Sequence, residues 1–308
     1  MKAVLHYRAS PGFRSALSAI EGVELAIVDE TDDAGFAREI AGAEVLLHVL
    51  KPVTAAMMDA APRLGLIQKI GVGVNTIDLE AARARGVAVC NMPGTNSQAV
   101  AEMALSLMMA VLRRTCFFDA RTRAGEGWSA DPSELDNVGE VAGRTVGLVG
   151  IGNSAQRLAP VLAALGARLV YTARSPRDLP YDYLPLDRLL AECDIVSLHI
   201  PLTEETRGSI DPMAMKPGAV LVNTARGELV DEARLVQALT SGHLRGAGLD
   251  VFAAEPVPAD NPLLALPSVV LAPHIAWLTP ETLVRSLDVA HENCRRLSAG
   301  EPLLHQVV

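Results

Sequence analysis

The sequence predicts an α/β protein made of two doubly wound parallel-sheet domains. Short apolar runs of strand length alternate with helix-spaced segments from the first residues onward. The alternation breaks at Met92-Pro93-Gly94 and starts afresh at Arg144. The length of 308 residues agrees, since a domain takes ~150 residues.

The first series has strand candidates at Lys2–Tyr7, Val23–Asp29, Glu44–Val49, Leu64–Ile70 and Val87–Asn91. Helical spacing lies between them at Ser15–Ile20 and Met57–Ala61. Gln98–Arg114 then reads as one long helix, with Glu102 early and two arginines at its end, as the helix dipole favours. Arg121–Gly143 has weak periodicity and is expected to be irregular. The second series has strands at Thr145–Val149, Arg168–Thr172, Ile195–His199, Val220–Asn223, Gly246–Val251 and Val269–Leu271. Thr279–Ala299 reads as a closing helix.

Charge and composition narrow the function. Acidic residues outnumber basic ones 36 to 27, for a net charge of −9, and no basic run interrupts the balance. Nucleic acid and anionic membrane are therefore excluded as expected partners. The four cysteines, Cys90, Cys116, Cys193 and Cys294, have neither C-x-x-C nor zinc spacing. They read as reduced thiols, which predicts a cytoplasmic protein without a bound metal. The N-terminus lacks the apolar core of a signal peptide. The apolar stretch Met103–Leu112 falls short of the ~20 residues a membrane span needs.

Gly150-Ile151-Gly152-Asn153-Ser154-Ala155 follows a strand and opens a helix, the setting that a dinucleotide fingerprint requires. Gly150 permits the tight turn, Gly152 admits a pyrophosphate to the backbone, and small Ala155 allows close helix–strand packing. The helix start at Asn153 and Ser154 offers free N–H groups to phosphate. Pro160 inside this helix is expected to kink it or remove a hydrogen bond. At the end of the next strand, the carboxylate that would hold a ribose 2′-hydroxyl is replaced by Ala173. Arg174 and Ser175 follow, suited to a 2′-phosphate. The expected cofactor is NADP(H) in preference to NAD(H).

Three later segments are Val222-Asn223-Thr224-Ala225-Arg226-Gly227, Leu249-Asp250-Val251-Phe252-Ala253-Ala254-Glu255-Pro256 and Ala272-Pro273-His274-Ile275-Ala276. With the glycine loop and Ile70-Gly71-Val72-Gly73-Val74-Asn75-Thr76-Ile77-Asp78, the chain resembles the D-isomer-specific 2-hydroxyacid dehydrogenase family over almost its whole length. The resemblance implies a flavodoxin-like substrate domain (1–93 plus 280–308) and a Rossmann-like cofactor domain (94–279) with an irregular arm near 115–143. It also implies a cleft between the two domains and a homodimer.

By the same resemblance, the catalytic residues are Arg226, Glu255 and His274. His274 would protonate the carbonyl oxygen of a 2-oxoacid, Glu255 would orient the imidazole and favour its cation, and Arg226 would clamp the substrate carboxylate. Backbone N–H groups near Val72 and Gly73 would bind that carboxylate too. Asp250 corresponds to the residue that holds the nicotinamide carboxamide, and Pro201, Thr206, Thr224 and Ala225 to cofactor-lining positions. Asn75 stands where many members have Asp. Glu255 argues against formate dehydrogenases, which carry Gln there. His6, His48, His199, His243, His291 and His305 read as structural or exposed.

A glyoxylate/hydroxypyruvate-type reductase is the expected activity, with a short 3-phosphoglycerate dehydrogenase as the alternative. Lys51 would then meet a substrate phosphate, and Trp277 either walls the substrate pocket or packs in the core. An alternative of another class is a dinucleotide-sensing corepressor-like binding protein, which would keep the triad and barely turn over.

Overall fold

A computed structural model of the chain describes residues 1–17 and 22–308. Two compact units result, Met1–Asn96 with Trp277–Val308, and Ser97–Ala276.

The first unit carries β1 (Lys2–His6), α1 (Pro11–Leu17), β2 (Glu24–Val28), α2 (Asp33–Ile40), β3 (Val45–His48), α3 (Ala55–Asp59), β4 (Leu66–Lys69), α4 (Leu79–Arg85) and β5 (Ala88–Cys90). The expected helix at Ser15–Ile20 coincides with the end of α1, and residues 18–21 lie outside the described ones. The parallel sheet has the order β2-β1-β3-β4-β5, so the winding reverses between β1 and β3. Each residue of β3 and β4 is buried, as expected of strands covered on both faces. Caps set the helix ends: the Asp78 carboxylate accepts the Ala81 N–H before α4, and left-handed Gly86 closes it.

The second unit opens with α5 (Ser97–Arg113), α6 (Thr115–Arg123) and α7 (Pro132–Leu135). It continues with β6 (Thr145–Val149), α8 (Asn153–Ala164), β7 (Arg168–Thr172), β8 (Asp182–Tyr183), α9 (Leu186–Glu192) and β9 (Ile195–Leu198). Then come β10 (Val220–Asn223), α10 (Glu232–Thr240), β11 (Gly246–Leu249) and β12 (Val269–Leu271). The parallel sheet has the order β12-β11-β10-β9-β6-β7-β8. Long α5 lies tightly on β11, because a Cβ on Gly248 would stand 2.8 Å from Leu107 Cβ. The chain returns to the first unit as α11 (Pro280–Ala299), which buries Leu287, Ala290 and Cys294.

One expectation is corrected. The segment 121–143 is not wholly irregular: it holds the end of α6, a 3-10 turn at Gly127–Ser129, and α7. No residue of α6 or α7 is buried, so there was no apolar stripe to read. Local groups hold them instead, namely the Asp131 cap with Pro132 behind it and the Arg114–Glu134 ion pair. At Pro160, α8 loses one donor yet runs on to Ala164.

Among the described residues, no helix is long and apolar enough to cross a membrane, and no group of three or more His, Cys, Asp or Glu is placed to hold a metal ion.

Candidate active site

In the second unit, the functional side chains sit where parallel strands end. Asn223, the last residue of β10, is buried and braces the turn after it. Its Oδ1 accepts the Ala225 N–H at 3.0 Å and its Nδ2 donates to the Arg226 carbonyl at 2.8 Å. Arg226 donates through Nη1 to the Ala225 carbonyl. Burial lowers the pKa of its guanidinium, while Glu255 and Glu228 nearby oppose the shift. It stays a cation, since arginine starts far above neutrality.

Gly227 brings this turn against the next one. A Cβ there would stand 2.0 Å from the Phe252 carbonyl carbon, so only glycine allows the two backbones to touch. The 252–255 turn ends in Glu255, whose Oε1 accepts the Phe252 N–H at 3.0 Å. Its Oε2 lies 2.6 Å from His274 Nδ1. Burial pushes the Glu255 carboxyl up, but the hydrogen bonds from His274 and Phe252 outweigh it and hold the pKa below the ordinary carboxylate value. With Nδ1 turned to Glu255, Nε2 is the nitrogen left for a substrate.

His274 has a backbone φ of 54°, uncommon for a residue with a side chain. Asp250 holds it there. The Asp250 carbonyl accepts the His274 N–H at 2.7 Å, and its two carboxylate oxygens accept the N–H groups of Ile275 and Ala276, both at 2.9 Å. This carboxylate is fully buried, and burial raises its pKa. Both Asp250 oxygens thus take a backbone N–H each and anchor the histidine, while each keeps a lone pair that a carboxamide donor could use.

The glycine loop fits a dinucleotide. Gly150 takes φ 91°, and a Cβ there would meet the His199 carbonyl oxygen at 2.7 Å. Gly152 faces open space, and no side chain caps the start of α8. The first N–H groups of that helix, at Asn153, Ser154 and Ala155, thus have neither an intrahelical partner nor a cap. Ala155 is buried, as close packing requires. Arg174 and Ser175 are exposed after β7, with no carboxylate between Thr172 and Ser175. Thr224 Oγ1 is buried with no hydrogen-bond partner, a polar atom suited to a ligand group. Thr206 Oγ1 instead donates to the Pro201 carbonyl at 2.8 Å, so these two form a turn.

Val72 and Gly73 belong to the first unit, in the loop after β4. Val72 is exposed and its carbonyl accepts Asn91 Nδ2 at 2.9 Å. Of two neighbours, Lys51 departs from expectation and Trp277 takes the core packing that was one of its two readings. Lys51 Nζ is engaged by the Glu30 carbonyl at 2.8 Å and by Asp33 at 2.5 Å, so its charge is not open to a phosphate. Trp277 is 8 % exposed and packs against Tyr7 and Leu287 in the core of the first unit.

Sequence reasoning missed Asn223, Gly227 and the anchoring by Asp250. An Asn ending a strand before a turn was the available signal for the first. The other two depend on contacts between distant segments.

Residues 105–276 match the family described as D-isomer specific 2-hydroxyacid dehydrogenase, NAD binding domain. A glyoxylate reductase of Korarchaeum cryptofilum is 40% identical over 259 residues, which are 81% of this chain and 78% of that protein. A D-3-phosphoglycerate dehydrogenase of Mycobacterium tuberculosis is 41% identical over 288 residues, 91% of this chain. This chain spans only about half (54%) of that relative's length. Among solved structures, an NADPH-dependent glyoxylate/hydroxypyruvate reductase from Sinorhizobium meliloti, in complex with NADP and malonate, aligns with a TM-score of 0.84 and 29% identity. That alignment covers 100% of this chain and 96% of the other.

Proposed function

Because the chain belongs to the D-isomer-specific 2-hydroxyacid dehydrogenase family and is a nicotinamide-dependent oxidoreductase, we propose that it reduces small 2-oxoacids of the glyoxylate and hydroxypyruvate type with NADPH. The observation that carries this reading is the 2.6 Å contact between His274 and Glu255, with Arg226 beside them.

A bound nicotinamide supplies the hydride equivalent that the carbonyl carbon receives. The residues of the chain do the rest. Arg226 presents its planar donors to the substrate carboxylate and draws charge toward the carbonyl oxygen. As that oxygen becomes an alkoxide, His274 gives it the Nε2 proton, and 2-hydroxyacid leaves the site neutral at that oxygen. Glu255 keeps the ring in place and balances its charge while the proton is held. Asp250 fixes the backbone from which the ring projects. N–H groups at Val72 and Gly73 are assigned to the same carboxylate. Residues 1–93 with 280–308 thereby serve substrate and 94–279 serve cofactor.

NADP(H) preference rests on Arg174 and Ser175 in place of a carboxylate. Pro201, Thr206, Thr224 and Ala225 are assigned to the cofactor's surroundings, with Gly150, Gly152, Asn153, Ser154 and Ala155 on its phosphates. A homodimer fits the exposure of Trp128 (91%) and Leu135 (58%), apolar side chains that a second copy would cover. Buried free thiols at Cys90, Cys193 and Cys294 fit a cytoplasmic setting.

The phosphoglycerate reading has the support of 41% identity to the Mycobacterium protein. The engagement of Lys51 by Asp33 speaks for unphosphorylated acids instead. The test is oxidation of NADPH and NADH with glyoxylate, hydroxypyruvate, phosphohydroxypyruvate, pyruvate and a bulky aromatic 2-oxoacid, repeated with Arg174→Ala. Fast NADPH oxidation with the first two, and loss of the NADPH preference in the variant, are expected. A win for phosphohydroxypyruvate would overturn the substrate reading. Tight cofactor binding without turnover would favour a dinucleotide sensor.

A further inference from the structure

Glu232 is the first residue of α10, five residues after Gly227, and its carboxylate reaches the turn that carries Glu255. Its Oε2 accepts the Ala253 N–H at 3.2 Å, and its Oε1 accepts Asn261 Nδ2 at 2.8 Å. Asn261 is fixed in turn, because its Oδ1 accepts the Leu263 N–H at 2.9 Å where the 3-10 turn Pro262–Ala265 begins. One side chain thus joins the start of α10, the 252–255 turn and the loop beyond it.

The helix does not need Glu232 as its cap. Asp231 fills that role, its side chain accepting the Arg234 N–H at 3.1 Å. The dipole of the helix favours an acid in the first turn, but that preference asks only for charge, not for two bonds to groups outside the helix.

The Ala253 N–H belongs to the peptide unit that Gly227 touches. A Cβ on Gly227 would stand 2.0 Å from the Phe252 carbonyl carbon and 2.4 Å from the Ala253 nitrogen. The preceding N–H, of Phe252, donates to Glu255 Oε1 at 3.0 Å, and Glu255 Oε2 meets His274. Of two consecutive N–H groups, one is therefore held by Glu232 and the other by Glu255. A rotation of the 252–253 peptide re-aims the residues after it, Glu255 among them. We propose that Glu232 is a positioning residue for the reduction: it holds the Ala253 N–H so that Glu255 meets His274, and it does so by the reach of its acceptor oxygens rather than by its charge. This rests on the assignment of Glu255 and His274 to proton transfer.

The test is steady-state reduction of the fastest acid of the panel by Glu232→Ala, Glu232→Asp and Glu232→Gln, with Glu232→Ala also made in the Glu255→Gln background. Glu232→Ala should lower kcat about 10-fold, since a small misplacement of a reacting group is costly, while KM and the cofactor Kd stay near wild type. Glu232→Gln keeps an acceptor oxygen at the same reach and should restore kcat to within about threefold. Glu232→Asp keeps the charge but is one methylene shorter, and should behave like Glu232→Ala. In the Glu255→Gln background, Glu232→Ala should cost less than about twofold more, because what it positions is already lost. Recovery by Asp and not by Gln would overturn the proposal, since charge and not reach would then matter. So would losses that multiply in the double variant, or a changed KM or Kd with kcat unchanged. Multiplied losses beside a slow Glu255→Gln would sink this proposal alone; a Glu255→Gln variant as fast as wild type would sink the proton-transfer assignment and this proposal with it.

Discussion

Replacing Glu255 with Gln probes the proposed chemistry most directly. The carboxylate now serves two donors, Phe252 N–H through Oε1 and His274 through Oε2. A Gln side chain has one acceptor oxygen, so one of these donors would face an NH2 group. The negative charge beside the imidazolium is lost as well. At an effective dielectric constant of about 20, unit charges ~4 Å apart attract by ~4 kcal/mol. The two side chains are 19% and 32% exposed, so solvent screens part of this. Retaining about a third to a half leaves ~1.3–2 kcal/mol, which is about 10–30-fold in rate. Reduction needs the ring to carry the proton that it gives to the substrate oxygen. In Glu255→Gln, kcat/KM for reduction should therefore drop about 10–30-fold. Oxidation, which needs the neutral ring, should suffer less. The assay is kcat/KM in both directions from about pH 5 to about pH 9 with the best substrate of the panel. Both directions slowed equally would refute the role of Glu255 as counter-charge and leave it only as packing.

Four further outcomes are expected. His274→Ala should lower kcat by ~10²–10⁴-fold with cofactor affinity near wild type; a loss below about tenfold in steady-state turnover contradicts the general acid. Arg226→Gln should raise KM and lower kcat together, and a wild-type KM would place the carboxylate elsewhere. Gly227→Ala must push its Cβ away from the Phe252 carbonyl carbon, 2.0 Å distant, and should cost ~3 kcal/mol or more in urea unfolding; an unchanged midpoint would mean that the two turns separate freely. Stability should be fully present above about pH 6.5 and fall as pH drops toward 3, because unfolded His48 takes a proton that the buried ring refuses until about 3. His48→Asn should flatten this part of a urea-midpoint-against-pH curve, and an equally steep curve would exclude His48 as its source.

The elements that the sequence made legible are those with a repeating local signal. β6, β7 and β10 have the bounds that their apolar runs predict, because buried parallel strands show no polar alternation to blur them, and half-buried β12 at the sheet edge has its predicted bounds too. The glycine loop was legible for a similar reason: a tight turn and an uncapped helix start impose residue types at fixed spacing. By contrast, α6 and α7 bury no side chain and rest on a cap, surface ion pairs and guanidinium–ring contacts, so their composition resembles that of a loop.

The sequence by itself determined the α/β class, the dinucleotide fingerprint and the residue types of the triad. What only the tertiary structure decided is how those residues are held. Arg226, Glu255 and His274 are far apart in the chain, and their approach depends on Gly227 meeting the Phe252 backbone and on Asp250 gripping the two N–H groups after His274. The same holds for Lys51, which its neighbours could not show to be engaged by Asp33. Local propensity is written in consecutive residues. Steric fit and hydrogen-bond satisfaction between segments distant in the chain exist only after folding.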